Sequence, residues 1–383
     1  MNLAPASLPW FARHELRLAW RDWVAMATAG RHRRGVLLLL AVAAFAAGLH
    51  WLANALLAPW IAGGLHPDKQ ALLLVTGTGL LFFTAMLSQA LESVTRAYYA
   101  RSDLELILAS PASARRLFAV RTAATALLTF ALACLLASPV IDVLAWHDGP
   151  HWLAAYAVLA ALSAVSAALA VLIAIGLFNL VGPKRTRLVA QIVAGIVGAG
   201  FVIGIQAAAI LAYGDYSRLT VLQSDELLAA APASAHPLWV PARAAMGDPA
   251  ALALVLPTGF GMFALVIAHS SSSFARHAVA AGGTSRAPGA RHRPGRFRTG
   301  TEKQSLRRKE WRLLRRDPWL LSQTLTQLLY LVPPALLLWV NFGASAGLQI
   351  VVVPVLVMAS GQLAGGLAWL AISGEDAHDL VVT

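Results

Sequence analysis

A chain of 383 residues that is 58% hydrophobic, 13% charged and has a mean hydropathy of +0.66 is too apolar for an ordinary soluble domain. Its single cysteine, Cys134, excludes an internal disulfide framework and a cysteine-based zinc site, and reads as a small packing residue in an apolar run. The net charge of +12 invites a nucleic-acid reading, but the order of the basic residues along the chain assigns that charge to membrane topology instead.

Residues 1–34 begin with Arg13, Arg17 and Arg21, four apart on one helix face, and with Leu16, Trp20 and Trp23 on the adjacent arc. This predicts an amphipathic helix in the membrane interface, with Trp at headgroup depth and Arg reaching to phosphates. No cleavable signal peptide is expected, because the first apolar run is too long. Eight apolar spans follow: Gly35–Trp60, Ala71–Leu91, Leu117–Val143, Trp152–Leu180, Leu188–Tyr213, Ala250–His269, Leu320–Phe342 and Leu348–Ile372. About 20 apolar residues cross a bilayer core as a helix, and lipid requires every backbone polar group to be paired internally. The predicted fold is therefore an all-α polytopic bundle of about eight spans.

With the N-terminus inside, 27 of the 30 Lys and Arg residues fall on inner segments, and only Lys69, Arg218 and Arg243 fall outside. This bias predicts both chain ends in the cytoplasm and a multi-pass protein of a bacterial cytoplasmic (inner) membrane. Basic inner residues also suit contact with anionic lipid headgroups. Residues 35–269 form a six-span unit with an inner loop at 92–117. Its outer segment at 214–249 has room for short interfacial or re-entrant helices. Residues 270–304 read as an inner flexible linker, richest in Gly, Arg, Pro and Ser from Gly282 to Gly300, with Ser270–Ser273 as a span exit.

The N-terminal basic helix recurs. Lys309-Glu-Trp-Arg-Leu-Leu-Arg-Arg-Asp-Pro318 aligns without gaps on His14-Glu-Leu-Arg-Leu-Ala-Trp-Arg-Asp-Trp23, pairing Glu15 with Glu310, Arg17 with Arg312, Arg21 with Arg316 and Asp22 with Asp317. Trp311, Arg312 and Arg316 thus belong to a second interfacial helix at 305–319. Two spans follow at 320–372, and 373–383 holds a second acidic-apolar stretch, Glu375-Asp-Ala-His-Asp-Leu-Val-Val-Thr383. Six spans separate the basic helices, so the repeat unit is six spans and its copies are parallel, an arrangement found in transporters. Only two spans of the second copy are present, which is expected to reflect a truncated second half.

Catalytic patterns are missing from the sequence. It has no phosphate loop, no HExxH and no legible nucleophile–base pair, and Gly77–Gly79 and Gly195–Gly200 lie inside spans, where glycine serves packing. His66, His147 and His151 fall at outer span ends without a metal-ligand pattern. Asp142 sits near the outer end of the third span, after Pro139, and is the possible transport-path acid. Glu92, at the inner end of the second span, is placed to pair with Arg96 one turn on.

Asp103-Leu-Glu-Leu-Ile-Leu-Ala-Ser-Pro111, followed by Arg115 and Arg116, runs from acidic to basic around an apolar ladder that includes Leu106 and Leu108. A mere connection needs no such ladder, which calls for a partner surface. The stretch Asp103–Phe118 resembles the inner loop of ABC-2-type transporter permeases, and the basic helix before the first span looks like that family's elbow helix. In the family a Lys commonly closes the loop motif, where this chain has Arg121. The resemblance implies six spans per half, short outer helices between spans five and six, and an inner coupling loop docked on a separate ABC ATPase subunit. By that resemblance Asp103, Glu105, Leu106, Leu108, Pro111, Arg115 and Arg116 contact the ATPase, with Glu375, Asp376 and Asp379 starting the symmetry-related contact.

The expected function is the permease subunit of an ATP-driven exporter working by alternating access. It is not itself an enzyme and carries no cofactor, with ATP and Mg on the partner subunit. The bilayer is a second partner, a further permease chain or a missing second half a third, and nucleic acid none. The alternatives are an ATP-independent secondary transporter, which needs intramembrane ionisable groups, and a membrane-embedded enzyme.

Overall fold

The structure, a computed structural model, describes residues 32–62, 67–99, 113–213, 224–283 and 331–342, with parts of 13–21, 301–308 and 353–361. Each of the first six apolar runs forms one long helix: α1 (His32–Ala62), α2 (Lys69–Tyr99), α3 (Ala114–His147), α4 (Ala154–Val181), α5 (Pro183–Tyr213) and, after two short helices, α8 (Pro249–Gly283). All six are long and apolar enough to cross a membrane. The short helices are α6 (Asp225–Ala230) and α7 (Val240–Ala245), and α9 (Val332–Phe342) lies in the seventh predicted span and packs on α5. The rest of that span and most of the eighth lie outside the described residues, which carry one six-span unit and so leave the repeat without a second copy to compare.

Several helices outrun their apolar cores. α2 continues past Leu91 to Tyr99, and α8 continues past His269 to Gly283, into residues the sequence reading assigns to a linker. Once a helix has nucleated, propagation costs little, so polar residues beyond the bilayer extend it. Ser270 and Ser271 are buried instead of emerging into solvent, and Ser271 Oγ accepts a hydrogen bond from Arg115 Nε at 3.0 Å. That contact fastens the inner half of α8 to the start of α3.

α4 is the centre of the bundle: 61% of its span is buried, against 6% for α1. It packs on α2, α3, α5 and α8. Its buried face is made of small residues, Ala161, Ala164, Ala167, Ala168 and Ala170, with Ser163 and Ser166 between them. Lipid tails are as apolar as leucine, so helices in a bilayer associate through close packing and interhelical hydrogen bonds, and small residues permit that approach. One apolar cluster joins Leu91, Val94, Leu117, Phe118, Val171 and Ala174 towards the end where α4 finishes. A second joins Met86, Ala133, Ala137, Ile141 and Leu159 towards the opposite end.

α2 and α5 cross closely. Ser88 Oγ donates to the Ala194 carbonyl at 2.7 Å, and a Cβ added at Gly198, one turn further, would lie 2.7 Å from that hydroxyl. Ser88→Ala is expected to cost about 0.6 kcal/mol, the mean for an interhelical hydrogen bond in a membrane, with about 1.7 kcal/mol as the ceiling. Thermal unfolding in detergent measures it, and a loss well above that ceiling would show that the crossing depends on more than this bond.

A cap covers the end of the bundle predicted to be outer. Ser224 opens α6, its Oγ accepting from the Leu227 amide at 3.4 Å, and Asp225 and Glu226 fill the positive first turn. A 3-10 turn at Pro237–Trp239 leads into α7, which lies against α8, α4 and α2. Asp248 then caps α8, its Oδ1 accepting from the amides of Ala250 at 2.9 Å and Ala251 at 3.2 Å. Lys69 Nζ donates to the Ala231 carbonyl at 3.3 Å and ties the cap to α2.

Candidate functional site

The polar side chains at the capped end converge on Asp142. α1 and α3 run parallel there, because two pairs increase together along both helices: His50 with Asp142, and Asn54 with His147. α3 then reverses through a 3-10 turn at Pro150–Leu153, which puts Tyr156, in the first turn of α4, beside the same carboxylate. The Tyr156 hydroxyl donates to Asp142 Oδ1 at 2.7 Å, and His50 Nε2 lies 3.2 Å from Oδ2. The other ring nitrogen, His50 Nδ1, is 2.8 Å from the Ala46 carbonyl oxygen, one turn back on α1.

The site is shallow. Asp142 is five residues from the end of α3, about 7 Å along the axis, and its side chain is 45% exposed, that of His50 37%. A second layer closes it towards the end of the bundle. His147 Nε2 donates to Asn54 Oδ1 at 2.9 Å, and the Trp152 indole donates to Asp148 Oδ2 at 2.7 Å, with His151 Nε2 at 3.6 Å from the same oxygen. Trp51 and Trp146 stand fully out from α1 and α3, where aromatic side chains suit the membrane interface.

α1 has little else to hold it. Ala53 is its only buried side chain among the described residues, and the half-buried ones, Ala46, Leu49, His50, Leu57 and Ile61, share the stripe with Ala53 that faces α3. Val36, Leu40, Phe45, Trp51 and Leu56 are exposed, as lipid-facing positions should be. The polar pairs are therefore a large part of what fixes α1 to the bundle.

The sequence singles out Asp142 but passes over its partners. His50 and Tyr156 lie 92 and 14 residues away from it, and the only linear signal was a histidine within an apolar run. His147 and His151 bind Asn54 and Asp148, and no group of three or more metal-ligating side chains occurs among the described residues. Cys134 is half-buried in α3.

At the opposite end, Arg115 and Arg116 are exposed at the start of α3, Arg115 held by Ser271. Asp103, Glu105, Leu106, Leu108 and Pro111 lie outside the described residues, as do Glu375, Asp376 and Asp379. Glu92 is half-buried near the end of α2, while the Arg96 side chain is outside the described set. Arg13, Arg17 and Arg21 are helical and exposed; Trp20, Trp23, Trp311, Arg312 and Arg316 lie outside the described residues.

Six long apolar helices packed around a small-residue centre define a multi-pass α-helical membrane protein. Compared with family models, with curated proteins and with solved structures, the chain matches none.

Proposed function

We propose that this chain is the permease subunit of an ATP-driven exporter of the ABC-2 type, moving its substrate by alternating access powered by a separate ATPase subunit. The observation that carries the reading is the order of elements: six spans with short helices, α6 and α7, set between the fifth and sixth. That is the arrangement implied by the resemblance of Asp103–Phe118 to the family's inner loop. The loop between α2 and α3 then faces the cytoplasm and docks on the ATPase through Asp103, Glu105, Leu106, Leu108, Pro111, Arg115 and Arg116. Residues 375–379 begin the equivalent contact of a second half, and ATP and Mg belong to the partner. A permease of this kind is driven only if the ATPase binds its inward and outward states with different free energies, so the loop must transmit force stiffly. The anchoring of Arg115 to Ser271 links one end of that loop to α8.

Leu106→Asp is expected to abolish co-purification of the proposed ATPase partner, by placing a charge in the apolar ladder. Undiminished association would remove the assigned interface. A second reading, an ATP-independent secondary transporter, is favoured by the ionisable cluster around Asp142. It predicts substrate uptake into vesicles that contain this chain alone, driven by a proton gradient and collapsed by a protonophore.

A further inference from the structure

His50 has two ring nitrogens and both face acceptors, the Ala46 carbonyl oxygen at 2.8 Å and Asp142 Oδ2 at 3.2 Å. A neutral imidazole carries one N–H, so it satisfies only one of these contacts. Both are met if the ring is imidazolium and the carboxylate ionised. Both are equally met if the ring is neutral and Asp142 is protonated and donates to Nε2. The two descriptions contain the same proton, one more than a neutral histidine and an ionised aspartate hold together. Tyr156 does not supply it, because its own hydroxyl proton already bonds Oδ1 at 2.7 Å.

We propose that His50, Asp142 and Tyr156 form a proton-binding latch, which holds α1 against α3 while it carries one shared proton and loosens α1 when that proton leaves. On deprotonation a nitrogen lone pair of His50 must face either the carboxylate or the Ala46 carbonyl, and an attractive contact becomes repulsive. α1 responds strongly because, among the described residues, Ala53 is its only buried side chain and Asn54–His147 its other polar tie to α3. The proton exchanges with the fluid at the capped end, about 7 Å away along α3. The proposal rests on neither functional reading above. It assigns this end of the bundle a proton-dependent shape whatever drives transport.

Among the described residues, the other charged and histidine side chains at this end each have a place of their own. His147 is bound to Asn54, and Asp148 takes Trp152 and His151. Asp68 caps α2, Lys69 reaches Ala231, and Arg243 and Asp248 face each other at 4.0 Å. Cys134 and Ser138 of α3 are polar neighbours of Tyr156. Asp225, Glu226 and His236 belong to the cap, and Glu92 and His269 lie near the opposite ends of α2 and α8. His147 and His151 are the described histidines nearest the latch, so they become controls.

The test uses the full chain in lipid nanodiscs, with spin labels at Leu52→Cys on α1 and Leu136→Cys on α3 in a Cys134→Ser background. Both labelled positions are exposed. Between about pH 5 and pH 8, where histidine clusters exchange their proton, the distance between the labels is expected to lengthen in one transition. Asp142→Asn is expected to abolish that transition, and His50→Gln to do the same through the other partner, so that a failure of either variant to fold leaves the other to decide. Tyr156→Phe is expected to keep the transition and move its midpoint. His147→Gln and His151→Gln are expected to leave it in place. An unchanged distance across the range overturns the proposal. A transition that survives in a folded Asp142→Asn or His50→Gln protein, or that disappears in either histidine control, also overturns it.

Discussion

Trp239→Ala is expected to detach the 224–248 cap and to lower stability by about 3–5 kcal/mol, the range for removing a buried aromatic side chain. Trp239 is 2% exposed and packs with Leu72, Ala231 and Ala242. Its indole N–H donates to the carbonyls of Ala233 at 3.1 Å and Pro232 at 3.4 Å, so truncation removes both the filling of that cluster and the bond that folds 231–239 back on itself. Trp239→Phe keeps most of the volume and loses the donor, for an expected cost of about 1 kcal/mol. Thermal unfolding in detergent and limited proteolysis between 224 and 248 report the two consequences separately. A Trp239→Ala protein that melts with the wild type and resists cleavage equally would show that Lys69 and α7 hold the cap without the indole.

Gly247→Val is expected to be nearly as damaging, at about 2–5 kcal/mol from backbone strain together with overpacking. Gly247 has φ of 93°, a region that β-branched residues avoid. A Cβ there would lie 2.7 Å from His151 Cβ and 2.9 Å from the His151 carbonyl oxygen. The obstruction is partly backbone, so no rotamer change relieves it. His151 belongs to the 3-10 turn that delivers Tyr156 to Asp142, so displacement of that turn carries the damage into the cluster. Gly204→Ala is the control: nothing lies within 4 Å of its added Cβ, and a helical glycine to alanine change in open space is neutral or mildly stabilising. Equal melting temperatures for Gly247→Val and Gly204→Ala would refute the close-approach argument.

The first six spans were readable because hydrophobic length is a one-dimensional property. The predicted run Trp152–Leu180 and the helix Ala154–Val181 differ by a residue or two, and Leu188–Tyr213 and Pro183–Tyr213 share their second end. Helix ends beyond the bilayer were less readable. Polar residues such as those from Glu92 to Tyr99 serve equally as a loop or as further helical turns, and only their neighbours choose. Short helices in the outer segment were expected from its length and prolines, and α6, the 3-10 turn and α7 occupy it. Their attachment through Trp239 to Leu72 was not readable, since it joins residues far apart in the chain.

Asp142 stood out by itself because an acid in an apolar run is costly and therefore rare. What it does depended on its partners. His50 reaches it only because α1 and α3 run parallel with 50 opposite 142, and Tyr156 only because the turn at 150–153 sets the first turn of α4 beside the end of α3. The sequence by itself determined that this is a multi-pass helical membrane protein, where its first six spans lie, and that one acid sits near the end of the third. The tertiary structure alone decided that α4 is central and α1 peripheral, and that Asp142 lies beside His50 and Tyr156. The physical reason is that lipid and protein interiors are equally apolar. Hydropathy therefore marks what enters the membrane, while close packing of small residues and a few hydrogen bonds settle which helices meet.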